Sequence, residues 1–271
     1  MRVTYDCIPC LLKQCTHVMR VAGTGDETTK EALRAVLAYF ADADLDEMPP
    51  TLSRGAWAII AEHAGTDDPY AAIKARFDRE LLDYEPLIRK RMLEAEAPAL
   101  AVKLAILGNL VDLGANQRIQ KGDVLEAMAK IAEKPLAIDD HAALFADLAQ
   151  AETLLYLGDN CGEIVFDKAF IDYLSHRFPE LGVTYAVRGS PVLNDVTRVD
   201  AEIVGMAEVA EVVDNGDGAP GTVLCAVSPS FRDRFESADV VIGKGQGNFE
   251  SLSAVDRERV YLLFMAKCEV I

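Results

Sequence analysis

Histidine is scarce in this chain: four residues in 271, with a single tryptophan beside them. His17, His63, His141 and His176 form no HxxxH pair, and none follows an apolar run of strand length, which argues against a histidine-rich zinc site. Basic charge is also short. Twenty-seven Lys and Arg face 44 Asp and Glu, a formal net charge of −17. A surface for nucleic acid or an anionic membrane needs a dense cationic face, so neither partner is expected. Six cysteines make no disulfide scaffold in a chain of this length, and a reducing, cytoplasmic setting is the expectation. The longest apolar stretch, Ala97–Val111, is broken by Lys103 and is too short to span a bilayer. Met1–Leu12 carries Arg2 and Asp6 and lacks the apolar run of a secretory signal. What is abundant is apolar side chain, 51 % of residues, which excludes global disorder and supports one large domain or two small ones.

The chain changes character along its length. Residues 1–105 read as a helical region: Glu31–Phe40, Leu52–His63, Pro69–Tyr84 and Pro86–Glu96 are rich in helix formers, punctuated at Gly23-Thr-Gly25, Pro49-Pro50 and Gly65. In Pro69–Tyr84, Ile73, Phe77 and Leu81 repeat every four residues as a core stripe, with Lys74, Arg76, Asp78 and Arg79 between and no chemistry evident. Residues 106–271 read as an α/β unit. Strands are expected at Thr153–Leu157, Val183–Val187, Glu211–Val213, Asp239–Ile242 and Val260–Ala266, alternating with helices at Ile164–Phe178, Asn194–Val204 and Pro229–Ser237. That alternation predicts a mostly parallel sheet in a three-layer α/β/α domain with right-handed crossovers.

In such a sheet the strand ends line one edge, where ligands bind. Polar residues gather after the expected strands: Asp159 and Asn160, then Arg188 and Asp195, then Asp214 and Asp217, then Lys244 and Asn248. Turn chemistry explains any one of these, and Asn194-Asp195 would cap its helix well. Four together favour a site. Asp159, Asn160 and Asp195 offer oxygen ligands of the kind hard cations take. Gly162 precedes a helix whose free N–H groups suit an anion, and Lys244, between Gly243 and Gly245, stands clear of bulky neighbours. The run is neither a Walker loop nor GxGxxG.

Two clusters remain. Asn109 and Asp112, three apart in Gly108–Asn116, would share one helical face, although a helix ending near Gly114 explains part of that polarity. Cys7 and Cys10 form a CxxC, which is either structural or a candidate second metal or redox site, with Cys268 after the last strand as the favoured remote companion. Cys161, beside Asp159 and Asn160, would need a nearby base to act as a nucleophile, and no histidine is at hand.

Five runs in order, DCIPCLLKQ (Asp6–Gln14), GNLVDLGA (Gly108–Ala115), LYLGDNCGEIVFDK (Leu155–Lys168), VRGSPVLNDVT (Val187–Thr197) and IGKGQGNFESL (Ile242–Leu252), resemble the metal-dependent damage-control phosphatases, long filed as domain of unknown function 89. The likeness covers nearly the whole chain and is to the prokaryotic branch with an N-terminal CxxC. Cys161 replaces the usual small residue after Asp-Asn. The resemblance implies a helical region on a Rossmann-like α/β domain, and hydrolysis of phosphomonoesters with Mn²⁺, Mg²⁺, Co²⁺ or Ni²⁺. By motif, Asp159, Asn160 and Asp195 match the metal ligands and Lys244 the phosphate contact; Asn109, Asp112, Glu163 and Asn248 match the pocket lining, with Gly162, Arg188 and Gly245 beside them. Expected chemistry is in-line attack on phosphorus by a water that the ion acidifies, positioned by Asp112 or Glu163. The expected partner is a small phosphorylated metabolite. The alternatives are an S-adenosylmethionine-dependent methyltransferase, which the sparse glycines of Gly158–Gly162 disfavour, and a non-catalytic metal- or nucleotide-binding module. A phospho-aspartyl route lacks its DxDxT motif.

Overall fold

The computed structural model describes residues 1–95, 97–108, 121–255 and 258–271. Among these residues eight helices come first: α1 (Cys7–Val21), α2 (Asp26–Ala41), α3 (Pro49–Ala64), α4 (Ala71–Leu82), α5 (Glu85–Leu93), α6 (Pro98–Leu107), α7 (Lys121–Glu133) and α8 (His141–Leu148). Strands and helices then alternate: β1 (Thr153–Leu157), α9 (Glu163–Arg177), β2 (Gly182–Val187), α10 (Arg198–Val204), β3 (Glu211–Asp214), α11 (Pro229–Ser237), β4 (Val240–Lys244), α12 (Gly245–Leu252) and β5 (Val260–Leu263). Helices thus persist to Leu148, and the alternation expected from about residue 106 begins at Thr153.

The five strands form one sheet in the order β3-β2-β1-β4-β5, every pair parallel. Leu155 of β1 aligns with Thr184 of β2 and Val241 of β4, so the central strands are paired on both edges. Their side chains point alternately to two apolar layers. Leu154 and Tyr156 face a core that includes Phe77 and Leu81 of α4, Leu104 of α6 and Phe166 and Phe170 of α9. Leu155 and Leu157 face a smaller core with Phe231 and Phe235 of α11 and Leu252 of α12. Burial on both faces explains why these strands read as continuous apolar runs. The three-layer α/β/α arrangement is the one expected.

A third core belongs to α1–α3: Leu11, Val18, Met19, Val36, Leu52, Trp57 and Ile60 pack together with Val192, which comes from the loop after β2. Val192 is fully buried there. Burying one such side chain is worth roughly 1.5–3 kcal/mol. The helical layer therefore anchors a loop that carries part of the site. Among the described residues, no helix is long and apolar enough to cross a membrane.

Candidate active site

The chain passes from the β3 side of the sheet to the β5 side across β1, so the crevice beyond the carboxyl ends of β1 and β4 is a topological switch point, where open α/β sheets take their ligands. The loops after β1 and β2 are zipped together above it. The Cys161 N–H donates to the Asn194 carbonyl at 2.8 Å, and the Val196 N–H to the Asp159 carbonyl at 2.8 Å. An isolated antiparallel bridge joins Asn160 to Asp195. Backbone pairing thus sets Asp159, Asn160 and Asp195 side by side, as the sequence suggested. The cap reading of Asp195 does not hold. The α10 helix starts at Arg198, with Thr197 as N-cap and Asp200 completing a capping box, so Asp195 is left in the loop. The T-x-x-D pattern was legible at Thr197–Asp200 and marks the true start.

Asp159 and Asp195 are 7 % and 3 % exposed. The Asn160 amide Nδ2 donates to Asp159 Oδ2 at 2.6 Å and, more weakly, to Glu163 Oε2 at 3.4 Å. Arg188 lies behind the pair. Its Nε donates to Asp195 Oδ2 at 2.7 Å, its Nη2 is 3.8 Å from Asp159 Oδ1, and that buried Nη2 has no hydrogen-bond partner among the described residues. Burial, then repulsion from Asp195, pushes the Asp159 carboxyl up to about 7. Burial also raises Asp195, although Arg188 opposes the shift. Gly245 opens α12 at φ +76°, and a Cβ there would run into the Asp159 carboxylate, so only glycine lets that helix start come so close.

Two carboxylates and one amide fit a hard divalent cation. A cation between them would relieve the cost that raises both carboxyls. Among the described residues, no group of three or more His, Cys, Asp or Glu side chains is disposed to hold a metal ion; the set here has an amide as its third member.

Lys244 corrects the sequence reading. It does not stand clear for substrate: it is fully buried, and its ammonium donates to Ala105 O at 2.8 Å, Glu163 Oε1 at 2.6 Å and Asp167 Oδ1 at 2.6 Å. Three donors meet three acceptors. Asp167 also accepts from Tyr156 and Tyr185 at 2.8 and 3.0 Å. Glu163, the first residue of α9, is a partner in this network, with burial raising its carboxyl to about 7 against the pull of Lys244. Asn248 is likewise buried, donating to the carbonyls of Lys244 and Gly158 and accepting from Thr222, so it braces the strand ends and does not line the cavity. Gly162 is no free anion donor, because its N–H donates to Asp78 Oδ1 at 2.6 Å.

That contact overturns the bland reading of α4. Lys74 and Asp78 are buried, Lys74 Nζ lying 3.0 Å from Asp200 and 3.3 Å from Asp68. Charged residues flanking an apolar stripe gave no sign of this, because their partners are distant in the chain. Asp167 was missed for the same reason. Cys161 is buried, and burial pushes its thiol well above the usual range, which disqualifies it as a nucleophile. Asn109 and Asp112 lie outside the described residues.

Asp159, Asn160 and Asp195 open onto a cavity of about 300 Å³. Asp6, Cys7 and Cys10 from the start of the chain, Gln246 and Glu250 of α12, and Lys267 and Cys268 after β5 also line it. An enclosure of this size suits a small metabolite.

A fold with buried carboxylates at its switch point and a cavity above them is that of a small-molecule enzyme. The Damage-control phosphatase ARMT1-like domain matches residues 3–271, and the chain belongs to that family. It is 30 % identical over 273 residues to a damage-control phosphatase of Pyrococcus horikoshii, covering 100 % of this chain and 93 % of that one. A damage-control phosphatase of Archaeoglobus fulgidus is 27 % identical over 99 % of this chain and 93 % of its own length. The crystal structure of a domain of unknown function 89 family protein from Pyrococcus horikoshii superposes with a TM-score of 0.91 at 30 % identity, covering 99 % of this chain and 93 % of that one. Membership of this family supports a phosphatase role.

Proposed function

We propose that the protein hydrolyses small phosphomonoesters with the help of a divalent cation held by Asp159, Asn160 and Asp195. One observation carries the reading: two buried carboxylates and an amide from two interlocked loops share the floor of a metabolite-sized cavity. The described lining includes Asp6, Asp159, Asp195 and Glu250 against Lys267. An anionic phosphate entering such a cavity is repelled unless a cation is already there. A bound dication supplies Lewis-acid polarisation of a phosphoryl oxygen and makes water more acidic.

The chain's own residues do the rest. Asn160 spends its Nδ2 on Asp159 and Glu163, which orients its Oδ1 as an acceptor. Arg188 holds Asp195 in place through Nε and keeps Nη2, without a hydrogen-bond partner among the described residues, beside Asp159, placed to offset negative charge that builds up there. Lys244 acts from beneath, fixing Glu163 and through it Asn160. Neither the fold nor the relatives support the methyltransferase reading.

The test is phosphate release from p-nitrophenyl phosphate and a panel of sugar phosphates after dialysis against chelator. Activity is expected to vanish and to return with Mn²⁺, Mg²⁺, Co²⁺ or Ni²⁺, and Asp159→Ala should lower kcat/KM by at least 100-fold. Turnover that survives chelation, or an Asp159→Ala enzyme within threefold of wild type, overturns the assignment.

A further inference from the structure

The cavity has a second set of reactive groups. Cys7, Cys10 and Cys268 all line it, together with Asp159, Asn160 and Asp195. All three thiols are free, with Cys10 and Cys268 exposed and Cys7 partly buried. Cys7 and Cys10 sit one turn apart at the start of α1, so their side chains neighbour each other on the helix surface. Cys268 arrives from the other end of the chain, and α12 fixes it there: the Lys267 N–H donates to Gln246 Oε1 at 2.9 Å, and Gln246 Nε2 reaches Cys268 Sγ at 3.6 Å. Gln246 follows Gly245, the residue packed against the Asp159 carboxylate. The segment bearing Cys268 is thus mechanically connected to the floor of the site. Burial, with Cys268 and Cys7 nearby, raises the Cys10 thiol.

We propose that Cys10 and Cys268 form a reversible disulfide that ties the segment after β5 to α1 across the cavity and closes it to substrate. The oxidant is a low-molecular-weight disulfide, RSSR. Each thiol gives up one proton and one electron, the Cys10–Cys268 S–S bond forms, the S–S bond of RSSR breaks, and two RSH leave. A thiol reductant reverses the exchange. Closure acts by access: the bond joins the first helix to the segment after β5 across the cavity that Asp159 also lines. The loss of activity rests on the phosphatase reading above; the bond itself does not.

The experiment treats the full-length protein with glutathione disulfide under native conditions, maps disulfides by mass spectrometry, and assays metal-supported hydrolysis of p-nitrophenyl phosphate. A Cys10–Cys268 linkage is expected, with at least a tenfold fall in activity that dithiothreitol restores. Cys7→Ser should oxidise and lose activity as wild type does, whereas Cys268→Ser should keep the same activity with and without oxidant. A Cys7–Cys10 linkage, no linkage to Cys268, or a mapped Cys10–Cys268 bond without loss of turnover overturns the proposal. So does one zinc per chain that survives gel filtration and blocks oxidation. A reduced protein with no phosphatase activity under any metal refutes the phosphatase reading instead, and the disulfide map then decides on the bond alone.

Discussion

Two clusters of buried charge lie at the same edge of the sheet, and they are built to opposite rules. Around Lys244, one ammonium meets Glu163, Asp167 and a carbonyl, and two tyrosine hydroxyls complete the set. Every donor of that lysine is used. Around Asp159 and Asp195, two carboxylates share one guanidinium, and its Nη2 finds no hydrogen-bond partner among the described residues. A balanced network holds a fold in place. An unbalanced one stores a cost that a ligand can remove, which is how functional sites depart from the rules that govern the rest of a protein. On this contrast rests the proposal that the first cluster is architectural and the second chemical.

Mutation can break or sharpen that contrast. The largest effect is expected at Lys244→Met, which strands two buried carboxylates and should cost about 3–5 kcal/mol of stability, read as the urea midpoint. Asp159→Asn should do the reverse. Stability of the metal-free protein at pH 8 should rise by about 1 kcal/mol, because the neutral amide no longer repels Asp195, while turnover is lost. If Lys244→Met stays as stable as wild type and Asp159→Asn unfolds the protein, the two roles are exchanged. Gly245→Ala should lower kcat at least tenfold and cost about 1–3 kcal/mol, since its Cβ meets Asp159 and its backbone holds φ +76°.

The third cluster, under α9, should show itself in the pH dependence of stability. Burial pushes the Asp78 carboxyl up to about 8, with the Gly162 N–H opposing and Asp200 adding repulsion. The folded protein therefore keeps a proton that the unfolded chain releases above about pH 4. Stability should fall as pH rises from about 4 toward 8 and level off beyond. Urea midpoints across pH 5–9 should show this slope, and Asp78→Asn should make it shallower, with Asp159 and Glu163, both raised to about 7, supplying what remains. An unchanged slope in the variant would place the buried proton elsewhere.

Much of this was readable from the chain. Strand β1 falls where its apolar run does, and the three oxygen-bearing residues after β1 and β2 come together because parallel strands must bring their carboxyl ends to one edge. Cys268 was legible as the favoured companion of the CxxC because it follows the last strand, and it lines the same cavity. What was hidden is pairing across distance. Lys244 between two glycines looked accessible because sequence shows neighbours along the chain, whereas its carboxylate acceptors lie 81 and 77 residues away. Asp78 hid within an apolar stripe, since one charge per helical turn is usual for a solvated face. Here that face meets α10, and the helix that looked like mere packing holds the backbone of the Asp159 loop through Gly162.

Calorimetric titration of Mn²⁺ into the chelator-treated protein, with Asp159→Ala beside it, tests the central assignment without relying on any substrate. One ion per chain should bind wild type, and the variant should bind at least 100-fold more weakly. Equal binding by both proteins, or no binding to wild type, would contradict it.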